Sequence, residues 1–249
     1  MSADVRVRVL PDYDAMSHAA AEVVADHLRA APDAVFMVPT GVTPLGMYQR
    51  LVELHREEGL SFAGANFFNL DEYLGLDPEH PASYHVYMQE NFYGLVDVDP
   101  SRVHVPNGAA SDPEAECERY EGMIRDAGGI DLCVLGIGRN GHIGFNEPGA
   151  SFDSRTRVVR LAESTRRVNA TDFEGDCAPE CAISAGMATI CGSRRALLLA
   201  SGENKADAVA AAVEGEVSER VPASALRNHP DVRFFVDRDA ASALSGATA

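Results

Sequence analysis

At 249 residues with 46% hydrophobic side chains, the chain is long enough to bury one large core and too apolar to be disordered. No apolar run approaches the roughly 20 residues of a membrane helix. The N-terminus MSADVRVRVL also lacks a basic segment followed by an apolar stretch, so the expected compartment is the cytoplasm. Thirty-eight acidic residues against 21 basic ones give a formal net charge of −17, which speaks against nucleic acid and anionic membranes as partners.

Taken in chain order, Val5–Leu10 alternates apolar residues with arginine as a partly exposed strand does, and Asp14–Arg29 reads as a helix. Ala34–Pro39 is a buried strand that ends at Thr40-Gly41-Val42-Thr43-Pro44. The helix after it carries Met47, Leu51 and Leu54 on one face, with Thr43 expected as N-cap and Pro44 at the first helical position. Asn66–Leu70 reads as a strand leading into Asp71-Glu72-Tyr73, and Ser83–Leu95 and Glu114–Asp126 read as helices. Ile130–Ile137 is the clearest buried strand and runs into a glycine-rich turn. Ala196–Ala200 is another strand, followed by a helix from about Lys205 to Val213, and Val232–Val236 is the last strand. This alternation predicts an α/β fold: an open, mostly parallel, Rossmann-like sheet with helices on both faces. Without a repeat, a low-complexity linker or a composition shift, residues 1–249 read as a single domain.

Two compositional features bear on chemistry. Of the 21 basic residues 20 are arginine, and the one lysine is Lys205. An excess of carboxylates with almost no lysine points to adaptation to high salt, where counterions screen self-repulsion. Arginine-biased codon use would explain the lysine deficit but not the acidic excess. The five cysteines are an odd count without an export signal, so reduced thiols are expected. The C-x3-C pair Cys177 and Cys181 has no second pair at metal-ligand spacing, so no metal site is expected.

Ligands of an open parallel sheet bind beyond the carboxyl ends of its strands, and four polar segments sit at such ends. Thr40, Gly41, Val42 and Thr43 lie between a strand and a helix N-terminus, where backbone N–H groups and the helix dipole favour a phosphate. An ordinary capped turn would read the same. Lys205, just after a strand in SGENK, is either a point charge for that phosphate or a solvated helix-start residue. Asp71 ends an apolar and aromatic strand, where desolvation raises a carboxyl pKa and suits it to act as a base toward a carbon acid. Its alternative is capping of the following segment. In Gly136–Pro148 (GIGRNGHIGFNEP), glycines around Asn140 and His142 let the backbone turn tightly and expose an imidazole, the side-chain type suited to shuttle protons. Asn140 and Glu147 are candidates to hold that ring in one tautomer. GIGRNG lacks the spacing of a dinucleotide fingerprint.

Together PTGVTP at Pro39–Pro44, NLDEY at Asn69–Tyr73, GIGRNGHIGFNEPG at Gly136–Gly149 and SGENKADAV at Ser201–Val209 resemble the glucosamine-6-phosphate deaminase family over nearly the whole chain. SRTR at Ser154–Arg157 and AAVEG at Ala211–Gly215 add to the resemblance. The related 6-phosphogluconolactonases share the fold, but Tyr73 after Asp71-Glu72, and Ile-Gly-Phe-Asn-Glu after His142, favour the deaminase branch. The resemblance implies ring opening assisted by His142 with Glu147 and Asn140, C2 proton abstraction by Asp71, and phosphate binding by Gly41, Val42, Thr43 and Lys205. It implies a small-molecule amino-sugar phosphate as substrate and neither metal nor organic cofactor. The oligomeric state stays open, a homo-oligomer included.

The chain departs from the family pattern in two places. An arginine that often binds phosphate is replaced in Asn169-Ala170-Thr171-Asp172, with Arg166 or Arg167 as substitutes. The serine and lysine of the effector site of allosteric members fall at Ala150 and Val159, although Arg157 is retained. Activation by N-acetylglucosamine 6-phosphate is therefore not expected. The rival readings are galactosamine-6-phosphate deamination, a lactonase on the same fold, and a non-catalytic sugar-phosphate sensor.

Overall fold

The computed structural model describes residues 6–163, 166, 173 and 179–246. Seven strands form the main sheet in the order β1 (Arg6–Leu10), β10 (Val232–Asp237), β9 (Arg195–Ala200), β6 (Leu132–Gly136), β2 (Val35–Val38), β3 (Asn66–Asn69) and β5 (Val103–His104). Every pairing in it is parallel. Successive residues of the central strands point to opposite faces, and both faces are apolar. Phe36, Val38, Phe67, Val134 and Leu199 enter one core, under α1 (Tyr13–Ala30), α2 (Leu45–Glu58) and α3 (Tyr84–Asn91). Val35, Met37, Phe68, Leu135 and Leu198 enter the other, under α4 (Pro113–Asp126), α5 (Met187–Cys191) and α6 (Ala206–Val213). Continuous apolar runs therefore make two-sided strands, each such side chain contributing about 1.5–3 kcal/mol on burial.

Local chemistry sets the helix ends. Asp12 accepts from the Ala15 N–H at the start of α1, Ser83 from Val86 at α3 and Asp112 from Ala115 at α4, each cap contributing about 1 kcal/mol. The expected hydroxyl cap of α2 is not formed. That helix begins at Leu45, Pro44 occupies the cap position, and no side chain caps it. The helix read over Ser83–Leu95 divides at Phe92, whose backbone is neither helical nor extended (φ −150°, ψ −66°), and a 3₁₀ turn covers Tyr93–Leu95. The Phe92 ring stacks on Tyr48 at 5.1 Å, so packing overrides helix continuation.

A second sheet is the main addition to the expected architecture. Asp71–Tyr73 is itself a strand, β4, and joins β8 (Cys181–Ser184) and β7 (Arg157–Arg160) in an antiparallel sheet ordered β4-β8-β7. It lies beyond the carboxyl end of β3, with one residue, Leu70, between the two strands.

Candidate active site

The strands β9, β6, β2 and β3 are consecutive neighbours in the main sheet. Ser201–Lys205, Gly136–Pro148, Thr40–Pro44 and Asn69–Tyr73 thus leave from four adjacent carboxyl ends. The chain winds from β2 toward β3 and β5 on one side, and from β6 toward β9 and β10 on the other. The point of reversal lies between β2 and β6, where open α/β sheets form their ligand crevice.

The turn after β2 is held from outside by tyrosines. The Tyr48 hydroxyl donates to the Pro39 carbonyl at 2.5 Å, Tyr87 to that of Gly41 at 2.6 Å and Tyr13 to that of Val42 at 3.0 Å. Gly41 has φ +93°, open to glycine at no steric cost. With the carbonyls engaged, the N–H groups of Gly41, Val42 and Thr43 donate to no protein group among the described residues. A row of free amides is what an anion requires. The Tyr84 hydroxyl donates to the Tyr73 hydroxyl at 3.1 Å, with the Thr40 side chain near it.

Lys205 is not a solvated helix start. It is half-buried, and its Nζ donates to the Ile137 carbonyl at 2.7 Å, at the root of the glycine-rich turn. Burial, with Arg139 nearby as a like charge, pulls its pKa below the usual lysine range. An ammonium already desolvated gains more from an incoming phosphate than a hydrated one.

The capping role weighed for Asp71 falls to its neighbour Glu72. Successive strand residues face opposite sides, and Glu72 takes the capping work. Its carboxylate accepts the N–H groups of Tyr73 (2.8 Å), Tyr84 (3.0 Å) and His85 (3.0 Å), the last two at the start of α3. Asp71 is 6% exposed, and its carboxyl makes no hydrogen bond to a described residue. Burial first, and the Glu72 charge second, push its pKa up to about 8.

In the turn after β6, Asn140 Nδ2 donates to Glu147 Oε2 at 2.6 Å, which directs Asn140 Oδ1 at His142 Nδ1, 2.7 Å away. Glu147 Oε2 lies 3.5 Å from the same nitrogen. Facing two oxygens, Nδ1 carries the ring proton, and Nε2 keeps its lone pair for a ligand. The imidazole lies against Gly138: a methyl group there would stand 2.2 to 2.4 Å from ring atoms of His142. A methyl group on Gly144 would stand 3.5 Å from Asp71 Oδ2, so the loop bearing His142 passes directly over the buried carboxyl.

The structure thus brings Asp71, Asn140, His142 and Glu147 together, with Lys205 at the base of their loop and the Thr40–Thr43 turn on the adjoining strand. Cys177, Arg167 and the Asn169–Asp172 stretch lie outside the described residues. Arg166 pairs with Glu180 at 3.9 Å. Residue-by-residue reading missed Glu72 as a cap and Ser184 as a partner. Ser184 accepts the Phe145 N–H at 3.1 Å. The features that favour the deaminase branch meet in space, since Tyr73 and Phe145 share an aromatic cluster at 5.9 Å. Among the described residues no group of His, Cys, Asp and Glu is placed to hold a metal ion, and no helix is long and apolar enough to cross a membrane.

The chain is similar to known proteins over nearly its whole length. The family described as glucosamine-6-phosphate isomerases/6-phosphogluconolactonase matches residues 11–234. The chain is 50% identical over 241 residues to a glucosamine-6-phosphate deaminase of Halothermothrix orenii, covering 96% of this chain and 100% of that one. It is 50% identical over 239 residues to glucosamine-6-phosphate deaminase 1 of Bacillus subtilis, covering 96% and 99%. The solved structure of a monomeric glucosamine-6-phosphate deaminase superposes with a TM-score of 0.94 at 50% identity, covering 96% and 100%. A 6-phosphogluconolactonase from Thermotoga maritima superposes at 0.74 with 21% identity over 94% and 99%, a likeness of fold alone. With full-length relatives at this identity and the four family motifs gathered at one crevice, the chain belongs to the glucosamine-6-phosphate deaminase family.

Proposed function

We propose that the chain converts glucosamine 6-phosphate and water to fructose 6-phosphate and ammonia, with Asp71 as the carbon-acid base and His142 as the ring-opening proton shuttle. The observation that carries this reading is the buried, unbonded Asp71 carboxyl under a loop that presents an oriented imidazole. The free amides of Gly41–Thr43, Thr40 and Lys205 hold the phosphate and so fix the sugar between the two groups. His142 Nε2 takes the proton from the C1 hydroxyl and returns it to the ring oxygen as the C1–O5 bond breaks. Glu147 and Asn140 stabilise the imidazolium formed in between.

Asp71 then takes the C2 proton, and the electron pair forms the C1–C2 double bond. The C1 carbonyl π pair moves to O1, which takes a proton given up by the C2 ammonium, and the resulting enolamine is protonated at C1 by Asp71. Water adds to the resulting C2 imine, and ammonia leaves. A carboxylate in a desolvated pocket is a stronger base than one in water, which is the use of burying it. An ammonium at C2 of the substrate favours the ionised carboxylate on binding. Both catalytic groups and the phosphate loop come from one chain, so a monomer suffices, as in the solved relative described as monomeric. Sedimentation at working concentration reads that state directly. The cytoplasm is the matching location.

The test is stoichiometric release of ammonia and fructose 6-phosphate from glucosamine 6-phosphate by wild type and Asp71→Asn. Release abolished by the substitution is expected. No release by wild type, with turnover of galactosamine 6-phosphate or 6-phosphogluconolactone instead, would reassign the substrate.

A further inference from the structure

The small sheet holds one cross-strand row whose members grip successive residues of the His142 loop. Asp71 of β4 is paired with Ser184 of β8, and Ser184 with Arg157 of β7. Paired residues of antiparallel strands project to the same face. On that face Asp71 Oδ2 approaches Gly144, the Ser184 hydroxyl accepts the Phe145 N–H, and Arg157 Nη1 donates to Asn146 Oδ1 at 2.8 Å. Residues 144, 145 and 146 are thus each met by one member of the row, and the next residue is Glu147. The row two residues along, Tyr73, Ala182 and Val159, packs on the Phe145 ring from the same face.

Asn146 is fully buried, and its Nδ2 donates to the carbonyls of Ile143 and Ala185, both at 2.9 Å. Those bonds fix its Oδ1 toward Arg157. The guanidinium is half-buried and has no carboxylate partner among the described residues, and burial holds its pKa below the usual arginine range. A desolvated cation bonded to a neutral amide is a poor stabilising device. Its evident product is the position of Asn146.

We infer that Arg157 is a positioning residue for the reaction. Through Asn146, with Ser184 beside it, it sets the Ile143–Glu147 loop against the strand that carries Asp71, fixing the distance between the C2 base and the His142 shuttle. The inference rests on the deaminase reading for its kinetic consequence and on the row alone for its geometric one.

The test uses Arg157→Met, Asn146→Ser and the double variant, checked for folding by circular dichroism. Each single change is expected to lower kcat for glucosamine 6-phosphate about tenfold with KM within twofold, and the double variant to fall no further. In 15N-histidine-labelled protein, the His142 resonances should move from the pure Nδ1–H tautomer toward a mixture in Arg157→Met. Losses that multiply in the double variant, or an unchanged kcat and an unchanged tautomer, would overturn the inference. An inactive wild type whose His142 tautomer still shifts would sink the substrate reading and keep the positioning role. If Arg157→Met does not fold, Ser184→Ala carries the same test. It is expected to lose about threefold in kcat, and full activity with an unmoved tautomer would refute the grip.

Discussion

Replacing Asp71 by asparagine should remove a specific, pH-dependent cost of folding. The folded chain holds the Asp71 proton up to about pH 8, whereas the unfolded chain releases it near the ordinary value of 3.8. Between those limits the unfolded state binds fewer protons than the native state. Stability therefore falls as pH rises through this window and levels off above about pH 8. Each pH unit corresponds to about 1.4 kcal/mol, so between pH 5 and pH 7.5 the wild type loses on the order of 3 kcal/mol that Asp71→Asn keeps. At 2–4 °C per kcal/mol for a chain of this size, the gap in melting temperature should widen by roughly 10 °C over that interval.

Asparagine brings its own buried amide, which adds a constant offset. The change of the gap with pH, not its value at one pH, is the quantity to measure. Thermal melts of both proteins at half-unit steps from pH 4 to pH 9 supply it. A gap that stays constant across the range would mean that Asp71 titrates alike in both states, and the burial argument would be wrong. A gap that narrows would mean that the carboxylate is stabilised in the fold by a cation.

The same carboxyl sets the rate profile: kcat/KM should rise about tenfold per unit up to about pH 8, because the base must be ionised, and level off above it. A profile already flat at pH 6 would contradict this. Gly138→Ala should cut kcat at least a hundredfold with a smaller effect on melting temperature, since the atoms nearest its methyl group are those of the His142 ring; kinetics beside a thermal melt separates the two. Lys205→Met should raise KM for glucosamine 6-phosphate tenfold or more and change kcat by less, and an unchanged KM would remove Lys205 from the phosphate site. With a formal charge of −17, melting temperature and activity should both rise between dilute buffer and molar salt, and indifference to salt would end the halophile reading.

The parallel sheet was legible because its strands are buried on both faces and read as unbroken apolar runs, such as IDLCVLGI around β6. The second sheet was not. Strands β4, β7 and β8 are three or four residues long, too short to display a period, and β4 meets β8 across more than a hundred residues of sequence. The cap of α2 misled because Thr-Pro before a helix carries the usual chemistry of a start. In this turn the carbonyls are engaged by tyrosines from α1, α2 and α3, and the anion-facing conformation that results leaves Thr43 without a capping bond.

His142, Asn140 and Glu147 were legible because they lie within eight residues of one another in a glycine-rich turn, where spacing alone brings them into contact. Asp71 was legible only as one of two roles, and strand alternation gives the capping one to Glu72. Two adjacent acids in an extended segment must face opposite ways, so one can cap α3 while the other lies bare in the crevice. Ser184 and Arg157 had no comparable signal, because cross-strand register, not spacing, gives them their work. Of the groups that break ordinary burial rules, Asp71 without a bond and Lys205 desolvated follow the carboxyl ends of β3 and β9, and Arg157 without a carboxylate reaches the loop after β6 through Asn146. Their cost is tolerable because large cores lie on both faces of the sheet beneath them. It also suits the roles proposed for them, since a base, a positioning cation and a phosphate ligand would each act more strongly out of water.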